Sequence, residues 1–382
     1  MIRDNRLTFI SLYFASIGYK QSLQNLFSLL TLPFTKEDKL REKLHKNFSK
    51  RHGNAPVFSY SSARASLSAL LKASNIGEND EVIISSFSCL AVPTAIISTG
   101  ARPVYYDLDI KTLNVTKESL SQLITKKTKA IIFQHTLGIT VSTSVKEELN
   151  LDDILIIEDC ALSLGSTYNN QLIGDNSDAA IFSLELSKTI SCGWGGLLLV
   201  NKPQLNKTLM LHYKDTNQLG FIKSIRMSLQ ASISGILYSP AFYFFGKYLI
   251  TIFFKVGLFK GSTPISEEKG IVEEDFVCKL PKALLTLANI QISRINEISQ
   301  INSNNYKKIK KHLTKLNFHV FENQHHFDKS VSPRVPLLVR DTNNFISFFK
   351  KNGIEVGTWF DGPLTPLPGD PIFNFSKYKY PN

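Results

Sequence analysis

From residue 57 to residue 200 the chain alternates short, unbroken apolar runs with stretches of helical spacing, and this alternation limits the fold more than any other feature. Strands are expected at Val82–Ile84, Pro103–Asp109, Lys129–Gly138 (running into a loop) and Ile154–Ile157. Helices are expected at Ala63–Ala73, about Leu90–Thr99 and Ser119–Ile124, with a polar helix before the last strand. Runs without polar alternation suit strands buried on both faces, and strand–helix repetition at this spacing argues for a mostly parallel sheet covered by helices. Ligands of such sheets sit at the carboxyl ends of strands. Ser85–Ser88, Gln134–Thr136 and Glu158–Ala161 all fall at such ends, so a single shared site is expected.

At 382 residues the chain has length for about two or three domains, and 43% apolar with 20% charged residues fits a globular protein. The net charge of +12 has two readings: an anionic partner, or a composition rich in Lys, Asn and Ile throughout. The second is preferred, because no Lys/Arg block resembles a nucleic-acid arm, and no nucleic-acid partner is expected. The densest block, Lys307–Lys315, places Ile309, Leu313 and Leu316 at helical spacing, so its lysines form the wet face of a helix. Cys89, Cys160, Cys192 and Cys278 are widely spaced without a CxxC pair, which argues against a zinc site and a disulfide framework. With no small-residue cleavage site after the mildly apolar stretch Leu7–Tyr19, a cytoplasmic protein is expected.

Three parts are expected along the chain. Residues 1–50 read as a peripheral helical segment, 51–260 as a large domain, and 261–382 as a smaller α/β domain. The large domain carries an apolar insertion at 219–260, with no charged residue between Arg226 and Lys247. This stretch reads as a helical hairpin buried between domains or subunits, or as a peripheral contact with the membrane interface. Gly261–Gly270 reads as a linker, followed by one long helix over about Ala283–Leu316, a strand at Val335–Val339 and a helix at Thr342–Asn352.

The chemistry concentrates in Ile154–Val200. A buried strand there ends in Glu158 and Asp159, and Lys188 stands between a Ser-containing apolar run and a Gly-rich turn. A strand-end carboxylate and a loop lysine suit a covalently held aldehyde cofactor, the acid holding a protonated ring nitrogen and the amine joining the aldehyde. Each residue also has an ordinary reading. Asp159 could cap a helix, Lys188 could face solvent, and Ser61–Ser62 could simply cap a core helix.

Six segments in order resemble the DegT/DnrJ/EryC1/StrS family of pyridoxal-phosphate sugar aminotransferases, over about Lys36–Tyr380. They are SSARASL, GENDEVIISSFSCLAVPTAI, ARPVYYDLDIKTLNV, TKKTKAIIFQHTLG, IIEDCALSLGSTYNNQLIGDNSDAAIFSLELSKTISCGWGG and IEVGTWFDGPLTP. The resemblance implies a fold type I architecture with a large and a smaller α/β domain, pyridoxal 5′-phosphate as cofactor, and a homodimer. It implies a nucleotide-linked keto sugar as acceptor and an amino acid, glutamate above all, as donor, in making surface polysaccharide or a related glycoconjugate. Lys188 matches the family's cofactor-binding lysine, Asp159 the aspartate on the pyridine nitrogen, and Ser183 the phosphate-binding serine. Arg64 and Ala65 match the helix start that cradles the phosphate. Gly195 and Gly196 suit a tight turn beside the cofactor.

Four departures accompany the match. Cys89 stands where many members stack an aromatic residue on the ring, and Leu162 where a Gln or His contacts the ring hydroxyl. KLPKAL, with Lys282, replaces a Gly-Tyr-Asn segment, and the chain ends at Asn382 where many relatives continue. Two other readings stay open: a dehydratase on the same scaffold, whose members tend to replace the lysine with His, and a member that binds sugar nucleotide or a partner without turnover.

Overall fold

A seven-stranded sheet carries the fold, and its strand order places the ends named above side by side. The computed structural model describes residues 16–141, 145–239, 242–261, 264–273, 275–321, 329–358, 364–365 and 371–373. Two helices, α1 (Tyr19–Leu30) and α2 (Glu37–Ser49), precede strand β1 (Val57–Tyr60) and helix α3 (Ala63–Ala73). Then come β2 (Glu81–Ser85), β3 (Ser88–Cys89), α4 (Ala91–Ile97), β4 (Arg102–Tyr106), α5 (Lys117–Ser121), β5 (Thr128–Gln134), α6 (Val145–Glu148) and β6 (Leu155–Asp159). A small hairpin of β7 (Thr167–Tyr168) and β8 (Gln171–Leu172) leads to β9 (Ala179–Ser183) and β10 (Gly196–Val200). The rest is mainly helical: α7 (Pro203–Asp215), α8 (Phe221–Leu237), α9 (Tyr243–Lys255), α10 (Ile265–Glu268), α11 (Lys282–Ser293), α12 (Ile295–Lys315) and α13 (Thr342–Lys351), with β11 (Leu364–Thr365) late in the chain.

The sheet order is β1-β10-β9-β6-β5-β2-β4. β9, β6, β5, β2 and β4 are parallel, while β10 runs antiparallel to both β9 and β1. This is the mostly parallel sheet, flanked by helices, that the apolar runs imply. On one face Leu67, Leu70 and Leu71 of α3 pack against Ile84, Ile132, Ile157 and Leu198. On the other, Leu44 and Phe48 of α2 and Leu284, Leu285 and Leu287 of α11 enclose Phe182, Leu197 and Leu199. Burial of such side chains is worth roughly 1.5–3 kcal/mol each, which sets the two faces as the main source of stability.

Tertiary packing corrects several boundaries. The first helices are not peripheral, since Leu44 and Phe48 of α2 are fully buried in the main core. The single helix expected over Ala283–Leu316 is two helices that break at Arg294, a residue outside helical backbone geometry (φ −96°, ψ 4°). The reason is visible in the pattern. α11 is buried along most of its length, whereas α12 is amphipathic and exposes its lysines, so the chain turns as it leaves the core. Gly261–Gly270 is more than a linker, because α10 forms within it. Val335–Val339 forms no strand; Leu337 makes one isolated bridge to Val320, and the run stays half-exposed. The segment IEVGTWFDGPLTP runs into residues 359–363, and the chain end at 374–382 likewise lies outside the described residues. Among the described residues, no helix is long and apolar enough to cross a membrane.

Candidate active site

The strand-end groups converge. Ser88 Oγ donates to Gln134 Oε1 (2.6 Å), and Gln134 Nε2 donates to the Phe87 carbonyl (2.9 Å) and the Thr136 hydroxyl (2.8 Å). The backbone N–H of His135 donates to the Asp159 carbonyl (3.0 Å). Loops from β2, β5 and β6 are thereby tied into one floor.

Successive side chains on a strand face opposite ways, so Glu158 and Asp159 cannot serve the same space. Glu158 Oε1 accepts from His135 Nε2 (2.8 Å), and Oε2 accepts from Ser177 Oγ (2.8 Å). The N–H of Val141 donates to His135 Nδ1 (3.0 Å), so that nitrogen is the acceptor and the ring proton sits on Nε2. Burial alone would raise the Glu158 pKa, but the bonds from His135, Ser177 and the Gly174 N–H outweigh burial and hold it below the usual carboxylate value. His135, Glu158 and Cys160 have donor atoms within 4.8 Å of one another. Their hydrogen bonds already account for the grouping, and burial keeps the Cys160 thiol protonated.

Asp159 is buried on the other side of the strand end. Burial pushes its pKa up, while the Ala161 N–H on Oδ1 (2.9 Å) and the positive charge of Lys188 pull it back. Lys188 reaches it from the connection between β9 and β10. Leu184 and Cys192 N–H donate to the Gly195 and Leu184 carbonyls (2.8 and 3.0 Å), which folds this connection back on itself. Lys188 N–H donates to the Glu185 carbonyl (3.0 Å), and the Glu185 carboxylate accepts from the backbone and hydroxyl of Ser187. Lys188 itself is half-buried, and the hydroxyl of the next residue, Thr189, is buried with no partner among the described residues. Ser183 ends β9, with its Oγ accepting from the Glu185 N–H (3.3 Å).

Two glycines make this loop possible. Gly193 has φ +92°, and a Cβ there would lie 2.4 Å from the Ala231 Cβ of α8. A Cβ on Gly196 would lie 2.4 Å from the Ser62 carbonyl and the Ala63 nitrogen, so β10 meets the start of α3 only without a side chain.

At that helix start, Ser62 Oγ accepts from the Ala65 N–H (3.1 Å), a standard N-cap. The Ala65 amide expected to face a phosphate is thus engaged by the cap. Arg64 turns to Glu267 of α10, donating from Nη1 to Oε2 (2.8 Å). Burial pushes Glu267 up to about 7, the Arg64 charge pulls it down, and Glu273 raises it. A cavity of about 340 Å³ opens beside this pair, lined in part by Ser62, Arg64, Trp194, Arg226 and Lys260. The Nε of Arg226 is buried there with no partner among the described residues. Neither Glu267 nor Arg226 was legible as a site residue. The one available signal was a pair of cations, Lys223 and Arg226, opening an otherwise uncharged stretch.

Cys89 is half-buried and pairs in parallel with Thr365 of β11, while Leu162 is buried. Lys282 is half-buried in the first turn of α11, directly after Pro281.

Residues 20–221 match the model of the DegT/DnrJ/EryC1/StrS aminotransferase family, more than half of the chain. The chain belongs to this family. Among family relatives, GDP-perosamine synthase of Escherichia coli O157:H7 is 34% identical over 182 residues, 47% of each chain. The spore coat polysaccharide biosynthesis protein SpsC of Bacillus subtilis (strain 168) is 29% identical over 197 residues, 50% of this chain and 51% of the relative. The aligned part spans about half the length of these curated relatives. In three dimensions the chain resembles the putative sugar aminotransferase Spr1654 from Streptococcus pneumoniae in its PMP-form, with TM-score 0.67, 19% identity and coverage of 94% and 85% of the two chains. It also resembles DesI in the presence of its TDP-sugar product, with TM-score 0.67, 18% identity and coverage of 95% and 83%. At that identity the likeness establishes the fold: a fold type I transferase architecture.

Proposed function

We propose that the protein is a pyridoxal-phosphate-dependent aminotransferase that moves the amino group of an amino acid, glutamate being the expected donor, onto a nucleotide-linked keto sugar for surface polysaccharide assembly. One observation carries the reading: a buried Asp159 opposed by the charge of a loop lysine, Lys188, at the carboxyl ends of a parallel sheet. The donor set suits that cofactor, since an acid, an amine, the Ser183 hydroxyl and the start of α3 match a ring nitrogen, an aldehyde and a phosphate. The unpartnered Thr189 hydroxyl beside Lys188 is consistent with a further polar ligand atom there. The substrate class is supported by the aligned perosamine synthase and by the fold shared with a sugar-nucleotide-bound neighbour.

When bound, pyridoxal phosphate supplies an aldehyde that joins to amines and a ring that takes up the electrons of a broken C–H bond. Asp159 would hold a proton at the ring nitrogen, and its burial would strengthen that pairing by excluding water. The Lys188 Nζ is the amine that would hold the aldehyde, and the same nitrogen would carry the proton to and from the substrate carbon. Ser183 and the start of α3, where the Ser62 cap already takes the Ala65 amide, would hold the phosphate, and Leu162 would offer the ring hydroxyl no hydrogen bond. Losing the ring-hydroxyl contact weakens cofactor binding by about 1–3 kcal/mol, the cost of an unpaired buried polar group. A homodimer follows from the same reading.

The apolar Leu162 also favours a second reading, in which the site binds sugar nucleotide without turnover. Retention of Lys188 separates both from a dehydratase. The purified protein should take up pyridoxal phosphate with a visible absorption band that borohydride removes and that Lys188→Ala lacks. Glutamate should bleach that band. A protein that stays colourless ends the cofactor assignment, and a band that glutamate never bleaches favours the non-catalytic reading.

A further inference from the structure

Helices α1 and α8 are packed inside out. Their mutual interface is small and polar: Asn25 Nδ2 donates to the hydroxyls of Ser228 (2.8 Å) and Ser232 (2.9 Å). Gly235 approaches so closely that a Cβ would lie 2.4 Å from Ser22 Oγ. The buried residues of α8 include Ser224, Ser228, Gln230 and Ser234, whereas Ile222 is 83% exposed. On α1 the outward stripe is Tyr19, Leu23, Phe27 and Leu30, with Phe27 and Leu30 at 69% and 74%. α9 packs on α8 and adds Phe245 and Tyr248, exposed at 63% and 67%. In water a helix turns its apolar side inward, so polar-in, apolar-out helices are suited to an apolar medium outside.

The charge pattern says which medium. No Asp or Glu occurs between Asp215 and Glu267, while Lys223, Arg226, Lys247, Lys255 and Lys260 do. Lys255 and Lys260 are exposed at the end of α9 and just beyond it, as is Lys20 on α1. Lys247 is paired with Glu355 and Lys223 with Asp275 and Glu273, so the exposed cations left to an outside partner here are Lys20, Lys255 and Lys260. An apolar ridge beside them matches an anionic lipid surface, where acyl chains take the aromatic side chains and headgroups take the lysines. The helices are also too short to do more than lie there. Seventeen residues of α8 and thirteen of α9 reach about 26 and 20 Å, against roughly 30 Å of hydrocarbon.

We propose that the α1–α8–α9 face is a monotopic docking surface for anionic lipid bilayers, with Phe245 and Tyr248 as apolar anchors and Lys255 and Lys260 as headgroup contacts. This inference is independent of the cofactor assignment. It is tested by sedimentation of the purified full chain with phosphatidylcholine vesicles, with and without phosphatidylglycerol, at low and high salt. Binding should favour the phosphatidylglycerol vesicles by about tenfold or more and weaken as salt rises. Phe245→Ser/Tyr248→Ser should abolish it, and Lys255→Glu/Lys260→Glu should erase the preference for anionic lipid while the melting temperature holds. Equal recovery on both vesicle types, or binding that both variants leave intact, would overturn the proposal. So would a Phe245→Ser/Tyr248→Ser protein that falls from dimer to monomer where the parent never sediments with vesicles, which would assign the face to a second copy of the chain.

Discussion

The strand-end site and the α1–α8–α9 face invert one another. At the site, polar groups lie buried and bonded to one another: Glu158 to His135 and Ser177, Gln134 to Ser88 and Thr136, Asp159 to Ala161. On the outer face, polar groups also turn inward, but Phe27, Leu30, Phe245 and Tyr248 remain in contact with the surroundings. Burial of polar groups at the site has a chemical return, because a carboxylate deprived of water acts strongly on its few partners. Exposure of apolar groups on the outer face has no such return within this chain. The same physical cost therefore points to chemistry in one region and to an external partner in the other.

The contrast can be broken at its chemical end. Asp159→Asn keeps the shape but removes the charge, and should reduce turnover by about 10²–10⁴-fold, the range of a positioned acid or base. Steady-state assay with a keto-sugar nucleotide panel measures this, alongside a urea melt showing the fold intact. A variant within a few-fold of the parent would remove Asp159 from the reaction.

The seam between the two regions is the next place to press. Gly193 of the lysine loop touches Ala231 of α8, so Gly193→Val should destabilise the protein by about 2–4 kcal/mol through backbone strain and overlap. Equilibrium denaturation gives the value. A loss under about 0.5 kcal/mol would mean that the loop and α8 yield independently.

A smaller effect should come from Glu267, the acid that α10 sets against Arg64. Its folded pKa of about 7 lies above the ordinary 4.5, so the folded protein binds this proton more tightly than the unfolded chain. The corresponding stability is fully present below about pH 4.5 and is lost as pH rises through about 7. Glu267→Gln should flatten that fall in melting temperature between those pH values. A slope identical to the parent would show that Glu267 titrates as an ordinary carboxyl.

How much of this was legible beforehand follows from the range of the forces involved. The apolar runs at Val82–Ile84 and Ile154–Ile157 announced buried parallel strands, because period and length are local properties. The intervals among Asp159, Ser183 and Lys188, read with their flanking segments, pointed to the family, and the family match over residues 20–221 agrees. The spacing within Lys307–Lys315 announced a helix, but the apolar side expected of it stays open, with Ile309 and Leu316 46% and 68% exposed. Other features depended on partners far away in the chain. Local spacing could not show that Arg64 would meet Glu267, or that the apparent linker at 261–270 would fold to deliver that acid. Nor could it show that Glu158 would be claimed by His135, although strand alternation required it to face away from Asp159.

The sequence by itself determined the sheet, the order of the site residues and the absence of acids from the insertion. These are properties of neighbours in the chain, where backbone geometry and hydrophobic period act directly. Tertiary structure alone decided which groups claim Glu158, where the helix breaks at Arg294, and that α8 shows its polar side to α1. Those outcomes depend on which surfaces compete for burial, and the competition is settled only when distant segments meet.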